Sequence, residues 1–210
     1  MKATGMGILL VGLLILASCS SSNNQGSSTS DTSVFDGAMA AKPDGQVNSV
    51  AGLEFTPPSD WTDNGPSGMR AAEYSYGPIE GESDPAVMTV FYFGPGQGGD
   101  VKSNLDRWVG QVSKPGGGAV TDEAVLRSFT VADLPVSTVE VAGTYIASMG
   151  GPLSGNKVDH ENYRLYGAVV EGPQGSVFFK LTGPDKTAEG MATGFANMIH
   201  TIEKSTGQMN

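Results

Sequence analysis

Gly94-Pro95-Gly96-Gln97-Gly98-Gly99 leads from an aromatic run into a segment of helical periodicity. It is the first stretch where the backbone itself offers chemistry. Its glycines match G-x-G-x-x-G, and N–H groups opening a helix can face an anion. A dinucleotide fold also needs a parallel βαβ unit and an acidic residue about 20 positions on. Here Pro95 removes a donor and Asp100 puts negative charge at the helix start. Gly96, Gly98 and Gly99 therefore stand as candidate contacts for an anion or a partner, while a glycine-rich bend between strand and helix explains the same residues without a ligand. Asn104, Arg107 and Gln111 follow at i, i+3 and i+7, on one side of that helix. Two amides around one fork-shaped donor suit a carboxylate. The same spacing also describes the solvated face of any amphipathic helix.

Other reactive types lack companions. His160, in Asp159-His160-Glu161, and His200 stand 40 positions apart without HExxH, HxH or cysteine neighbours, so no metal is expected; His160 reads as part of a polar loop and His200 as the outer side of the last helix. There is no GxSxG and no SxxK, and the 9 methionines are scattered rather than clustered as copper ligands. No cofactor and no catalysis are expected. Trp61, after Pro57-Pro58-Ser59-Asp60, fits core packing better than an exposed anchor for a partner.

The chain's single cysteine closes Leu16-Ala17-Ser18-Cys19, after Lys2 and an apolar run from Ile8 to Leu16. Residues 1–18 have the three parts of a secretory signal, and the run is shorter than the ~20 apolar residues of a membrane-spanning helix. The tetrapeptide resembles the lipobox of bacterial lipoproteins, which implies acylation of Cys19, palmitate included, and a membrane partner through that lipid. Several buried acyl chains make a stable anchor, each CH₂ contributing about 0.8 kcal/mol. Ser20 in place of an aspartate implies, by the same resemblance, the outer membrane facing the periplasm. No cysteine is left for a disulfide.

Residues 19–50 read as a Ser-rich flexible tether, too polar to offset the entropy of ordering, with a reach of about 30 Å. The short apolar patch Val34, Phe35, Ala38 and Met39 interrupts it as a loosely packed remnant or docking motif. Across the chain 12 Lys and Arg face 22 Asp and Glu, a formal charge of −10, and the leader takes one lysine away. With no basic run, nucleic acid and electrostatic attachment to anionic lipid are excluded.

Residues 51–205 read as one domain, with 206–210 as a disordered tail. Alternating and β-branched runs predict strands at 53–56, 69–76, 86–93, 124–131, 136–147, 163–171 and 176–182. Gly172-Pro173-Gln174-Gly175 predicts a hairpin joining the last two. Val101, Leu105, Trp108, Val109 and Val112 predict an amphipathic helix over 100–112 with Asp100 as its cap; Ala188 to Ile202 predict a second, capped by Asp185. The residues from Ser148 to Asn162 read as a long loop available for function. The expected fold is α+β: a largely antiparallel sheet of about seven strands covered by two helices.

"FTPPSDW", "FYFGPGQGGDVKSNLDRWVGQ" and "FFKLTGPDKTAEGMATGFANMIHTI", in that order over residues 51–205, resemble the PsbP-like αβα sandwich that includes DcrB-type lipoproteins. The resemblance implies a non-catalytic module that binds other proteins, here a lipid-anchored binding or scaffold module with a protein partner. Binding of a small anionic or lipidic ligand near the membrane is the alternative; its sign would be an apolar cavity with a few inward polar groups.

Overall fold

In Val177-Phe178-Phe179-Lys180-Leu181-Thr182 the side chains alternate between two faces of a sheet, and both faces are covered where the residues are apolar. The computed structural model describes Met1 and residues 32–37, 41–149 and 156–206. Cys19, Ala38 and Met39 lie outside the described residues. In chain order the elements are a 3-10 turn at Val34–Asp36, β1 (Asn48–Val50), β2 (Leu53–Phe55), β3 (Thr62–Asp63), β4 (Arg70–Tyr76), β5 (Ala86–Tyr92) and α1 (Val101–Val109). There follow β6 (Val112–Ser113), β7 (Val125–Val131), β8 (Leu134–Met149), β9 (Asn156–Gly172), β10 (Gly175–Pro184), α2 (Asp185–His200) and β11 (Glu203–Lys204).

The fold is α+β. Eight strands form one antiparallel sheet in the order β3-β4-β5-β10-β9-β8-β6, with β7 also paired to β8, and β1-β2-β11 form a small second sheet. The hairpin stands as expected, with Gly172 opposite Gly175 around Pro173 and Gln174. One face of the large sheet, Tyr74, Met88, Val90, Tyr166, Ala168, Val177, Phe179 and Leu181, packs under Met191, Phe195, Met198 and Ile199 of α2. The other, Val139, Val141, Leu165, Val169 and Phe178, packs under Leu105, Trp108 and Val109 of α1. The helices thus lie on opposite faces, but α1 rests mainly on β8 and β9. Beyond it, the same face of β4 and β5 and the rest of β10 is left uncovered by α1, and this unevenness creates the site described below.

Both helix starts obey capping rules by different means. Asp100 Oδ1 accepts from Ser103 N at 2.9 Å, as expected. Pro184, not Asp185, is the N-cap of α2 and has no capping side chain. Glu82, from the β4–β5 loop, accepts from Lys186 N at 3.0 Å and Thr187 N at 2.7 Å instead. Asp185 is the first helical residue and pairs with Arg164 at 2.7 Å. Gly110 closes α1 earlier than the periodicity suggests, and Val112 belongs to β6. Trp61 is core, 7% exposed.

Three expectations are corrected. Most of Ser148–Asn162 is strand: β8 and β9 pair through Ser148 opposite Lys157 and Ile146 opposite Asp159. Polar, exposed residues on both strands hid the alternation there; residues 150–155 lie outside the described residues. His200 does not face outward: its Nε2 lies 2.9 Å from Phe35 O, and its ring stacks on Phe129 at 4.5 Å. Phe35, read as part of a loose patch, is 3% exposed and meets Phe195 edge-on at 5.8 Å.

The turn carrying Phe35 is held by polar contacts on either side. Ser33 Oγ and Val34 N donate to Glu140 Oε1, and the Arg127 guanidinium donates to both oxygens of Asp36. Burial pushes the Glu140 carboxyl up, against the opposing hydrogen bonds from Ser33 and Val34. Truncating a buried phenylalanine costs about 3–5 kcal/mol when its surroundings cannot collapse, but a terminal turn can simply detach. Phe35→Ala is therefore expected to raise amide exchange at Val34 and Phe35 to nearly the unprotected rate while exchange in β9 and β10 stays slow. Unchanged protection at Val34 would contradict this.

Candidate functional site

Lys180 is a charged residue in the middle of a central strand, between Phe179 and Leu181, both fully buried. Strand period sends it to the α1 face, where the helix ends and the open half of the sheet begins. Its Nζ donates to Gln111 Oε1 at 2.5 Å and to Tyr145 Oη at 2.9 Å, and lies 4.9 Å from the centroid of the Tyr145 ring. Gln111 is fixed at the end of α1, where its carbonyl accepts from Ile146 N at 2.8 Å. Tyr145 reaches the face through the register shift at Gly143, whose φ of 155° accompanies close approach to Ser113 of β6.

Arg107 stands one helical turn before Gln111, and its Nη2 donates to Asn104 Oδ1 at 2.6 Å. Neither Arg107 nor Lys180 forms an ion pair with a carboxylate among the described residues. In a chain this acidic, two adjacent cations without an acid run against the average balance. Burial first, and then the Arg107 charge, pull the Lys180 ammonium down to about 7. Burial also pushes the Tyr145 phenol up, so it stays protonated at neutral pH.

Two cavities meet at Lys180. One, of about 200 Å³, is lined by Phe91, Phe93, Trp108 and Phe178 with Arg107, Gln111 and Lys180. The other, of about 380 Å³, runs over the uncovered sheet past Thr89, Tyr145 and Thr182 to Arg70 and Glu73. Phe91 and Phe93 stack at 6.0 Å, and Phe93 lies 5.7 Å from Phe178. An apolar slot thus ends at two cations, which suits an anionic head on an apolar body. A dry cavity of about 150 Å³ accommodates benzene, so the aromatic slot has room for one ring and a short linker.

The residues singled out from sequence separate here. Arg107 and Gln111 converge on the site. Asn104 does not offer a solvated face: it is 3% exposed, and its Nδ2 donates to Gly98 O at 2.8 Å and Asp100 O at 2.9 Å, securing the loop to the helix. Gly98 has φ +91°, and a Cβ there would fall 2.7 Å from the Phe178 ring, so the residue permits close packing. Gly96 has nothing within 4 Å, and a Cβ on Gly99 would meet only Asn104. Lys180 and Tyr145 escaped the sequence reading, although a lysine amid Val-Phe-Phe and Leu was a visible sign of an inward-facing charge.

A larger cavity, about 660 Å³, lies elsewhere between Gly81–Asp84 and Asp159–Tyr163. Its acids are already engaged in part, Glu82 in capping α2 and Asp84 in accepting from Tyr163 Oη at 3.1 Å. Among the described residues no group of His, Cys, Asp or Glu is placed to hold a metal, and no helix is long and apolar enough to cross a membrane.

No protein-family model matches the chain, and no curated protein matches it in sequence. Among solved structures it is similar to LpqN, described as involved in cell envelope biogenesis of Mycobacterium tuberculosis. The identity is 12%, the TM-score 0.46, and the match covers 81% of this chain and 93% of that one. So slight a likeness carries no role across.

Proposed function

We propose that this chain is a lipid-anchored envelope binding protein that holds a small anionic ligand with an apolar body where α1 meets the open sheet. The observation that carries this reading is the pair Arg107 and Lys180, the first exposed on α1 and the second half-buried in the sheet, beside four aromatic rings and with no carboxylate paired to either among the described residues. Isolated buried charge is costly, and a ligand carboxylate or sulfonate would supply the missing counter-charge. The lipobox at Cys19 supports attachment to the outer membrane on its periplasmic side, and the helix–sheet–helix layering supports a PsbP-like module. Binding, rather than turnover, is the role. Docking of a protein partner is the second reading, favoured by Phe93, which is 40% exposed at the mouth of the slot.

The probe is 3-phenylpropanoate, one ring on a short acid. Of the chain's 2 tryptophans only Trp108 lines the slot, so in proton–nitrogen spectra its indole signal should shift on titration while that of Trp61 stays in place. Equal movement of both signals, or of neither, would overturn the reading of this site.

A further inference from the structure

We infer that Lys180 captures carbonyl compounds, forming an imine with a 2-oxo acid whose carboxylate lies against Arg107 and whose apolar group enters the slot beside Trp108 and Phe178. The inference rests on the anion site proposed above and names its substrate class more closely.

An amine attacks a carbonyl only through its lone pair, so a nucleophilic lysine must be kept from holding its proton. Desolvation and a neighbouring cation are the two means proteins use, and Lys180 has both. The other lysines with a resolved shift point the opposite way. Hydrogen bonding and attraction to Asp106 raise Lys102, and those to Glu123 raise Lys114. Geometry adds what titration alone would not. Lys180 lines both cavities, so a carbonyl carbon can approach from the open sheet while the substrate's ring occupies the slot. Gln111 Oε1 and Tyr145 Oη hold Nζ at a fixed point, and Arg107 on the adjacent helix turn supplies the mark for the carboxylate.

The step balances without an oxidant. The Nζ lone pair adds to the carbonyl carbon, the carbonyl oxygen takes up a proton and the nitrogen gives one up, leaving a carbinolamine. A proton delivered to the hydroxyl lets it leave as water and gives the iminium, whose nitrogen then returns one proton to solvent to leave the neutral imine. The Tyr145 hydroxyl, hydrogen-bonded to Nζ, is placed to pass protons between nitrogen and oxygen. The net change is one amine and one 2-oxo acid to one imine and one water.

The test uses phenylpyruvate, which has the skeleton of 3-phenylpropanoate plus the 2-oxo group. The purified protein is incubated with it and cyanoborohydride near neutral pH, then digested and mapped by mass spectrometry. Lys180 should be alkylated at least about a hundredfold faster than Lys102, because its free-amine fraction near pH 7 is about a thousandfold greater and its lower basicity offsets only part of that. Arg107→Leu should slow labelling by phenylpyruvate several-fold more than labelling by phenylacetaldehyde, which has no carboxylate and registers only the lost Arg107 charge beside the Lys180 amine. Labelling spread over Lys102, Lys114, Lys157 and Lys180 by exposure, or absent from Lys180, would overturn the inference. Titration with 3-phenylpropanoate in parallel separates the two failures. If it binds and Lys180 stays unlabelled, only the imine falls; if it does not bind, the anion site falls as well.

Discussion

Arg107→Leu is expected to weaken 3-phenylpropanoate binding by about 10- to 100-fold, because a hydrogen bond to a charged group contributes about 1.5–3 kcal/mol and each 1.4 kcal/mol is tenfold. Leucine keeps the apolar stem that packs near Trp108, so the loss reports on the guanidinium. Lys180→Met should cost as much below neutral pH and less above it. In the free protein the Lys180 amine loses its proton around pH 7, so the wild-type site sheds a charge, and affinity, as pH rises through that value. A bound anion restores the proton, and binding at about pH 8 should therefore take up protons from buffer.

The same variant makes an opposite prediction for stability. In the unfolded chain a lysine titrates near ~10.4. In the fold Lys180 titrates at about 7. Between these values the unfolded chain holds the extra proton, so this group makes wild-type stability rise with pH across that window. Below it, Lys180→Met removes a penalty and should gain stability relative to wild type; by about pH 10 the gain should be gone. Leaving Gln111 Oε1 and Tyr145 Oη without their donor costs about 1–3 kcal/mol, but equally at every pH. The slope of the difference, measured by urea unfolding across pH, is diagnostic. A flat difference would show that Lys180 is not held as described.

Gly167→Ala should damage fold and site together. Gly167 lies on the α1 face of β9, and a Cβ there would fall 2.4 Å from Trp108 Cε3, 2.5 Å from Cζ3 and 3.0 Å from a Val139 methyl. The indole is rigid and only 3% exposed, so the helix must lift from the sheet rather than a flexible tip turn aside. Overpacking of this kind costs about 1–3 kcal/mol, and each kcal/mol lowers Tm by about 2–4 °C for a domain of this size. Arg107 rides on that helix and Gln111 directly follows it, so 3-phenylpropanoate affinity should fall as well. Gly116→Ala, at φ +81° with nothing within 4 Å, carries backbone strain alone and should leave affinity unchanged. Equal effects of the two substitutions on affinity would contradict the helix placement.

What sequence could show followed from how local each signal is. The α2 stripe, the Gly172–Gly175 hairpin and the Asp100 cap are determined by neighbours in the chain, and all three could be read directly. Arg107 and Gln111 shared a legible helical spacing, but nothing local said that Asn104, between them and the loop, would turn inward to bind Gly98 O. Lys180 and Tyr145 come from β10 and β8, with β9 between them, so their meeting depends on sheet order that periodicity does not encode. Phe35 was hidden by its polar setting: its burial arises from Phe129, Phe195 and His200, far along the chain. The β8–β9 extension was misread because strands exposed on both faces carry Asp159, His160 and Glu161 instead of alternating apolar residues.

Calorimetric titration of the wild-type protein with 3-phenylpropanoate and with the matched alcohol 3-phenylpropan-1-ol, at about pH 6 and about pH 9, tests the anion site most directly. The site described here predicts that the acid binds about tenfold or more tightly than the alcohol at the lower pH, and that this preference shrinks at the higher one. Acid and alcohol binding alike at both pH values would show that Arg107 and Lys180 do not form a site for an anion.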